Sequence, residues 1–147
     1  MVSAVPELRI WLIDDTLDHL RVAEATIGSF PGLTFQGFSD PVTALATYVR
    51  LARDQPALLP RIVLMDYYLG AARGDRVTRE LRERQDPAAG LIIIGYSSVA
   101  SCSERIVAAG ANLVVRKTAD RSGRNPHLAR YLERYLSAST RPSPPRQ

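Results

Sequence analysis

Arg61-Ile62-Val63-Leu64-Met65-Asp66 is a short apolar run that ends on a carboxylate. An apolar run without polar alternation suits a strand buried on both faces, as in a parallel sheet covered by helices on each side. Working outward, Leu8-Arg9-Ile10-Trp11-Leu12-Ile13 reads as a strand and ends on Asp14-Asp15. Residues 33–37, 91–96 and 112–116 supply three more strands. Helical patterns follow each of the five. Residues 16–29 place Leu20, Ala23 and Ile27 on one face. Asp40-Pro41, a cap residue before proline, opens a helix carrying Val42, Leu45, Val49 and Ala52. Residues 75–85 turn Val77 and Leu81 inward. Residues 101–109 stop at Gly110, and residues 126–137 carry Leu128, Tyr131, Leu132, Tyr135 and Leu136 at helical spacing. Five β-then-α units predict an α/β fold, a five-stranded doubly wound parallel sheet.

The composition agrees with one domain. The chain has 147 residues, 46% of them hydrophobic, which is enough for a core and excludes a fully disordered polypeptide. No apolar run approaches the roughly 20 residues of a membrane span. The first residues lack a basic segment followed by an apolar one, so no signal peptide is expected and the expected location is cytoplasmic. The single Cys102 excludes an internal disulfide and a multi-cysteine metal site; it reads as a packing or surface residue. The net charge of +4 is uneven: residues 1–115 carry −2 and residues 116–147 carry +6. The basic residues lack the aromatic interleaving of the kind single-strand binders use, so a solvated surface is expected rather than a nucleic-acid site. Eighteen of the basic residues are arginine, and Lys117 is the only lysine.

In an open parallel sheet, ligands bind at the carboxyl ends of the strands. There the sequence places Asp14 and Asp15, Asp66, Ser97 and Ser98, and Lys117. Carboxylates that converge repel one another, and a hard divalent cation with oxygen ligands, Mg2+ or Mn2+, relieves that. A hydroxyl and an ammonium beside it suit the oxygens of a phosphoryl group. The chemistry inferred is phosphoryl transfer to a carboxylate, with charge stabilisation doing most of the work. His19 and His127 read as surface or packing residues, and Trp11 as packing on the sheet. Ser98 or Ser101 reads as a helix cap.

Taken in order, Leu12-Ile13-Asp14-Asp15, Ile62-Val63-Leu64-Met65-Asp66, Gly74, Ile94-Gly95-Tyr96-Ser97-Ser98, Gly110-Ala111-Asn112 and Arg116-Lys117 resemble the receiver domains of two-component response regulators. The likeness covers residues 7–138, with residues 1–6 as an extension and 139–147 as a disordered tail. It implies a flavodoxin-like (βα)5 fold with strand order 2-1-3-4-5. It implies that Asp66 is the phosphoacceptor and that Asp14 and Asp15 hold Mg2+ with Asp66 and the main-chain carbonyl of Tyr68. Ser97 would contact a phosphoryl oxygen, and Lys117 would pair with Asp66 and then with the phosphoryl group. The donor would be a phosphohistidine on a sensor histidine kinase or phosphotransfer protein. The long connection from Ala44 to Arg61 is similar to regulators of bacteriophytochrome kinases.

Four departures from the family pattern carry expectations. Gly70 replaces a proline and should loosen the loop after Asp66. Thr118 replaces the proline after the lysine, so a trans Lys117–Thr118 bond is expected. Val114 stands at the usually aromatic switch position. Tyr68 and Val99 stand where other members carry groups that orient water, so self-dephosphorylation should be slow. The predicted function is a stand-alone, non-enzymatic phosphoacceptor that signals through the fourth helix, fifth strand and last helix, or through a dimer on the last helix. The alternative is a pseudo-receiver that binds partners unphosphorylated. A hydrolase reading fails because Gly95-Tyr96-Ser97-Ser98-Val99 lacks the second glycine of a nucleophile elbow. A haloacid-dehalogenase-type phosphatase needs a second acid where Tyr68 stands.

Overall fold

The structure is a computed structural model and describes residues 7–70, 72–86 and 89–140. Strands β1 (Leu8–Ile13), β2 (Leu33–Phe38), β3 (Ile62–Met65), β6 (Ile92–Ser97) and β7 (Leu113–Arg116) form one sheet in the order β2-β1-β3-β6-β7, with every neighbour parallel. That is the expected 2-1-3-4-5 order. Two further strands, β4 (Tyr68–Leu69) and β5 (Ala72–Arg73), form a small antiparallel hairpin that the sequence reading missed. The helices are α1 (Leu17–Gly28), α2 (Pro41–Asp54), α3 (Gly74–Arg84), α4 (Ala100–Ala108) and α5 (Pro126–Thr140). The expected extension 1–6 and most of the expected tail lie outside the described residues.

Alternation along the strands divides the core in two. Trp11, Ile13, Val63, Met65 and Ile93 face α2, α3 and α4. Ile10, Leu12, Ile62, Leu64, Ile94 and Tyr96 face α1 and α5. Both sets are buried, so each residue of the central strands gains roughly 1.5–3 kcal/mol from leaving water. Trp11 packs as expected, 4.6 Å from the Phe38 ring and 6.1 Å from that of Tyr48.

Helix α2 buries a stripe other than the one through Val42, Leu45, Val49 and Ala52. In α2 the buried residues are Pro41, Ala44, Tyr48 and Leu51, while Val42 is 71% exposed and Val49 is exposed. Both sets have helical spacing. Tyr48 decides between them, because its ring fills the space beside Trp11.

At Gly70 φ is +68°, a conformation that proline, fixed near −65°, cannot adopt. Gly70, the residue expected to loosen this loop, follows β4 in a turn. The Lys117–Thr118 bond is trans, as expected.

Candidate functional site

The register of the sheet builds the site. Ile13 is level with Met65, and Met65 with Gly95, so the next residues, Asp14 and Asp66, emerge side by side. Backbone bonds extend the ladder past the strand ends: the Asp66 N–H donates to the Ile13 carbonyl at 3.1 Å, and the Asp14 N–H to that of Phe38 at 2.9 Å. Across the sheet, the Lys117 N–H donates to the Ser97 carbonyl at 3.2 Å. Each functional side chain therefore sits on the first residue or two after a rigid strand, or, for Ser97, on its last residue.

Asp14, Asp15 and Asp66 each bring a carboxylate oxygen within 4.8 Å of the others. Asp14 is wholly buried, Asp66 nearly so, and Asp15 exposed. Lys117 reaches between the two buried acids: its Nζ donates to Asp14 Oδ2 at 2.7 Å and to Asp66 Oδ1 at 2.9 Å. Its side chain is itself buried, and its ammonium lies 5.5 Å from the centre of the Tyr96 ring. One cation thus serves two buried anions. Burial pushes the Asp66 carboxyl above its usual range. The Lys117 hydrogen bond and charge pull it down, and Asp14 pushes it further up. This donor set fits a hard divalent cation: three converging oxygens, an excess of negative charge and an exposed approach through Asp15.

Gly74 holds the loop after Asp66 close. A Cβ at this position would run into the Asp66 carbonyl oxygen. The Gly74 N–H donates to the Tyr67 carbonyl at 2.7 Å, which closes the hairpin onto the start of α3.

The remaining expected residues stand around this centre. Ser97 is buried, and its hydroxyl accepts from the Val99 N–H at 3.1 Å. It accepts within the turn before α4, whose N-cap residue is Val99 and has no side-chain cap, so neither Ser98 nor Ser101 makes the expected helix cap. Ser97 lines a groove of about 470 Å3 with Ala100, Ser103, Glu104, Val114 and Arg116. Val114 is 46% exposed on β7 and leaves this groove open. Val99 is exposed, and Tyr68 is 65% exposed, its ring set edge-on against Tyr67 at 4.9 Å. Tyr67 accepts a hydrogen bond from Arg105 of α4 at 2.9 Å, so the residue after Asp66 is tied to α4. Cys102 is buried, as a packing residue should be.

His19 corrects the sequence reading. Expected as a surface or packing residue, it places Nδ1 3.1 Å from Asp14 Oδ2 and 3.2 Å from Lys117 Nζ. Its position in the first turn of the helix after Asp14 is the one sequence signal that could have revealed this. A second feature unseen in the sequence is Asn125, wholly buried. Its Oδ1 accepts from the His127 and Leu128 N–H groups at 3.0 and 3.2 Å, capping α5. Its Nδ2 donates to the Tyr96 hydroxyl at 2.9 Å and the Arg116 carbonyl at 3.0 Å. The residue before Lys117 and the ring beneath it are thereby fixed to α5.

No protein-family model and no curated protein matches this sequence. Solved structures do. The chain superposes on the phosphorylated cyanobacterial phytochrome response regulator RcpA with a TM-score of 0.72, at 19% identity over 93% of this chain and 99% of that one. It superposes on the Mn2+-bound form of response regulator Rcp1 with a TM-score of 0.71, at 14% identity over 92% and 99%. A two-component response regulator of the LuxR family from Aurantimonas sp. SI85-9A1 gives 0.66, at 26% identity over 90% and 86%. The fold is that of response regulator receiver domains, which are signalling domains rather than enzymes of the usual kind. Among the described residues, no helix is long and apolar enough to cross a membrane.

Proposed function

We propose that this chain is a phosphoacceptor of a two-component system, modified on Asp66. The observation that carries the reading is the placement of Lys117 between Asp66 and Asp14 inside a convergent acid triad. In the reaction, an Asp66 carboxylate oxygen attacks the phosphorus of a phosphohistidine. The new P–O bond forms as the P–N bond breaks, and the donor imidazole leaves. Lys117 already holds the attacking carboxylate and follows the charge onto the phosphoryl oxygens. Ser97, after releasing the Val99 N–H, offers its hydroxyl to another oxygen. Asp14, Asp15 and Asp66, with the Tyr68 main-chain carbonyl, would hold Mg2+ or Mn2+, which supplies positive charge to the transferring group.

The donor is a sensor histidine kinase or phosphotransfer protein in the cytoplasm, and the likeness to RcpA supports a phytochrome-type sensor. The new charge of about −1.5 to −2 biases the Ser97 turn, α4 and the Tyr67–Arg105 tie. The signal then appears on α4, β7 and α5, for a partner or a second copy. Phosphotransfer is self-catalysed, and the phosphoryl group is lost slowly.

The test is incubation with Mg2+ and acetyl phosphate followed by intact-mass measurement. The wild type should gain one phosphoryl group and Asp66→Asn none. An unlabelled wild type would favour a module that works without phosphorylation.

A further inference from the structure

The acid cluster has a neighbour that phosphoryl acceptance does not require. His19 lies in the first turn of α1, with its side chain partly exposed, and its Nδ1 sits 3.2 and 3.1 Å from the two Asp14 oxygens. The same nitrogen is 3.2 Å from Lys117 Nζ. Asp14 Oδ1 also accepts from the Thr16 N–H at 2.9 Å, and Oδ2 from Lys117. Both oxygens of a wholly buried carboxylate are therefore held by the protein.

A lysine ammonium has only protons to give, so Nδ1 meets Lys117 as an acceptor. It meets the Asp14 carboxylate only as a donor. One nitrogen cannot do both at once, but the imidazole supplies either form by moving its proton between Nδ1 and Nε2. While Lys117 lies on Asp14, the ring accepts from the ammonium. When Lys117 moves off Asp14, the ring donates to the oxygen left behind. The atoms that converge within 4.8 Å are those of Asp14, Asp15 and Asp66, without His19. The imidazole is thus placed to orient a ligand, not to be one.

From this arrangement we infer that His19 is the positioning residue of the metal site: it holds Asp14 in its ligating orientation and lets Lys117 leave it. The inference rests on the acid triad being a divalent-cation site, as proposed above. Hydrogen-bond partners behind metal ligands typically contribute about 10–100-fold in affinity.

The experiment is calorimetric titration of the unphosphorylated full chain with Mg2+ and with Mn2+. The proteins are wild type, His19→Leu, His19→Asn and Asp14→Asn. His19→Leu should weaken both ions by about 10-fold or more. His19→Asn keeps an amide able to donate or accept near the Nδ1 position, and should restore affinity to near that of the wild type. Wild-type affinity in His19→Leu, with binding lost in Asp14→Asn, would overturn the role of His19 and leave the metal site standing. Unchanged binding in Asp14→Asn would overturn both. Pulsed electron paramagnetic resonance of the Mn2+-loaded wild type separates positioning from ligation: no directly coordinated nitrogen is expected, and a coordinated imidazole signal would contradict the inference.

Discussion

Asp66 is held where its charge is least welcome. It is buried beside Asp14, and the two share one ammonium. Its carboxyl is raised above the usual 3.8, first by burial, against the pull of Lys117. A carboxyl raised in the native state keeps its proton to higher pH than in the unfolded chain. Its ionisation therefore costs stability as pH rises through the window above 3.8. Without divalent cations, Asp66→Asn should be more stable than wild type at pH 7 by roughly 1 kcal/mol, the usual scale of a single substitution. The gain should shrink as pH falls toward the acid limit. Thermal melts across that range check it, and a variant less stable than wild type at pH 7 would contradict it. Around Asp66, the proposed acceptor, the exposed Tyr68 and Val99 carry no carboxylate or amide to orient water. Tyr68→Asn with Val99→Glu should speed phosphate loss by roughly 10-fold, a fraction of what a positioned acid–base group supplies. An unchanged lifetime would count against it. Asp14, Asp66 and Lys117 were legible because each directly follows an apolar strand. His19 was not, because its partner Lys117 is distant in sequence and a half-exposed helical histidine reads as surface.

Elements hold these residues in place. The start of α3 is pressed against the loop after Asp66 at Gly74, where no side chain fits beside the Asp66 carbonyl. Gly74→Ala should cost about 2 kcal/mol, the middle of the range for overpacking a tight site, and should slow phosphorylation by shifting Asp66. Urea denaturation with phosphorylation rates tests this; wild-type values in both would show that the loop yields freely. Strands and helices fell within a residue or two of their expected ends, apart from α5, because apolar runs, Asp40-Pro41 and Gly110 mark most of them. The β4–β5 hairpin was invisible because two-residue strands have no measurable period. Spacing alone does not choose the buried face of α2, because two apolar stripes compete there and only the tertiary contact of Tyr48 with Trp11 decides. The Asn125 cap was hidden for the same reason: Tyr96 and Arg116 reach it through folding, not through local sequence.

At the scale of the molecule, the order β2-β1-β3-β6-β7 does the assembling. It sets the ends of β1 and β3 adjacent, followed by those of β6 and β7, so acids, hydroxyl and ammonium gather on one rim. The same order leaves β7 at the sheet edge, with an open groove between it and α4 that Val114 does not fill. A phosphoryl group at Asp66, as proposed, would be flanked on the way to this face by Ser97, which accepts from the Val99 N–H, and by the Tyr67–Arg105 bond. The proposed function stands or falls with Asp66 as the acceptor. The most direct measurement is to phosphorylate the chain with acetyl phosphate, reduce the acyl phosphate with borohydride and map the product by peptide mass spectrometry. The account predicts homoserine in place of Asp66 when Mg2+ is present, and none when it is chelated. Homoserine at Asp14 or Asp15 instead, or equal labelling without the metal, would contradict it.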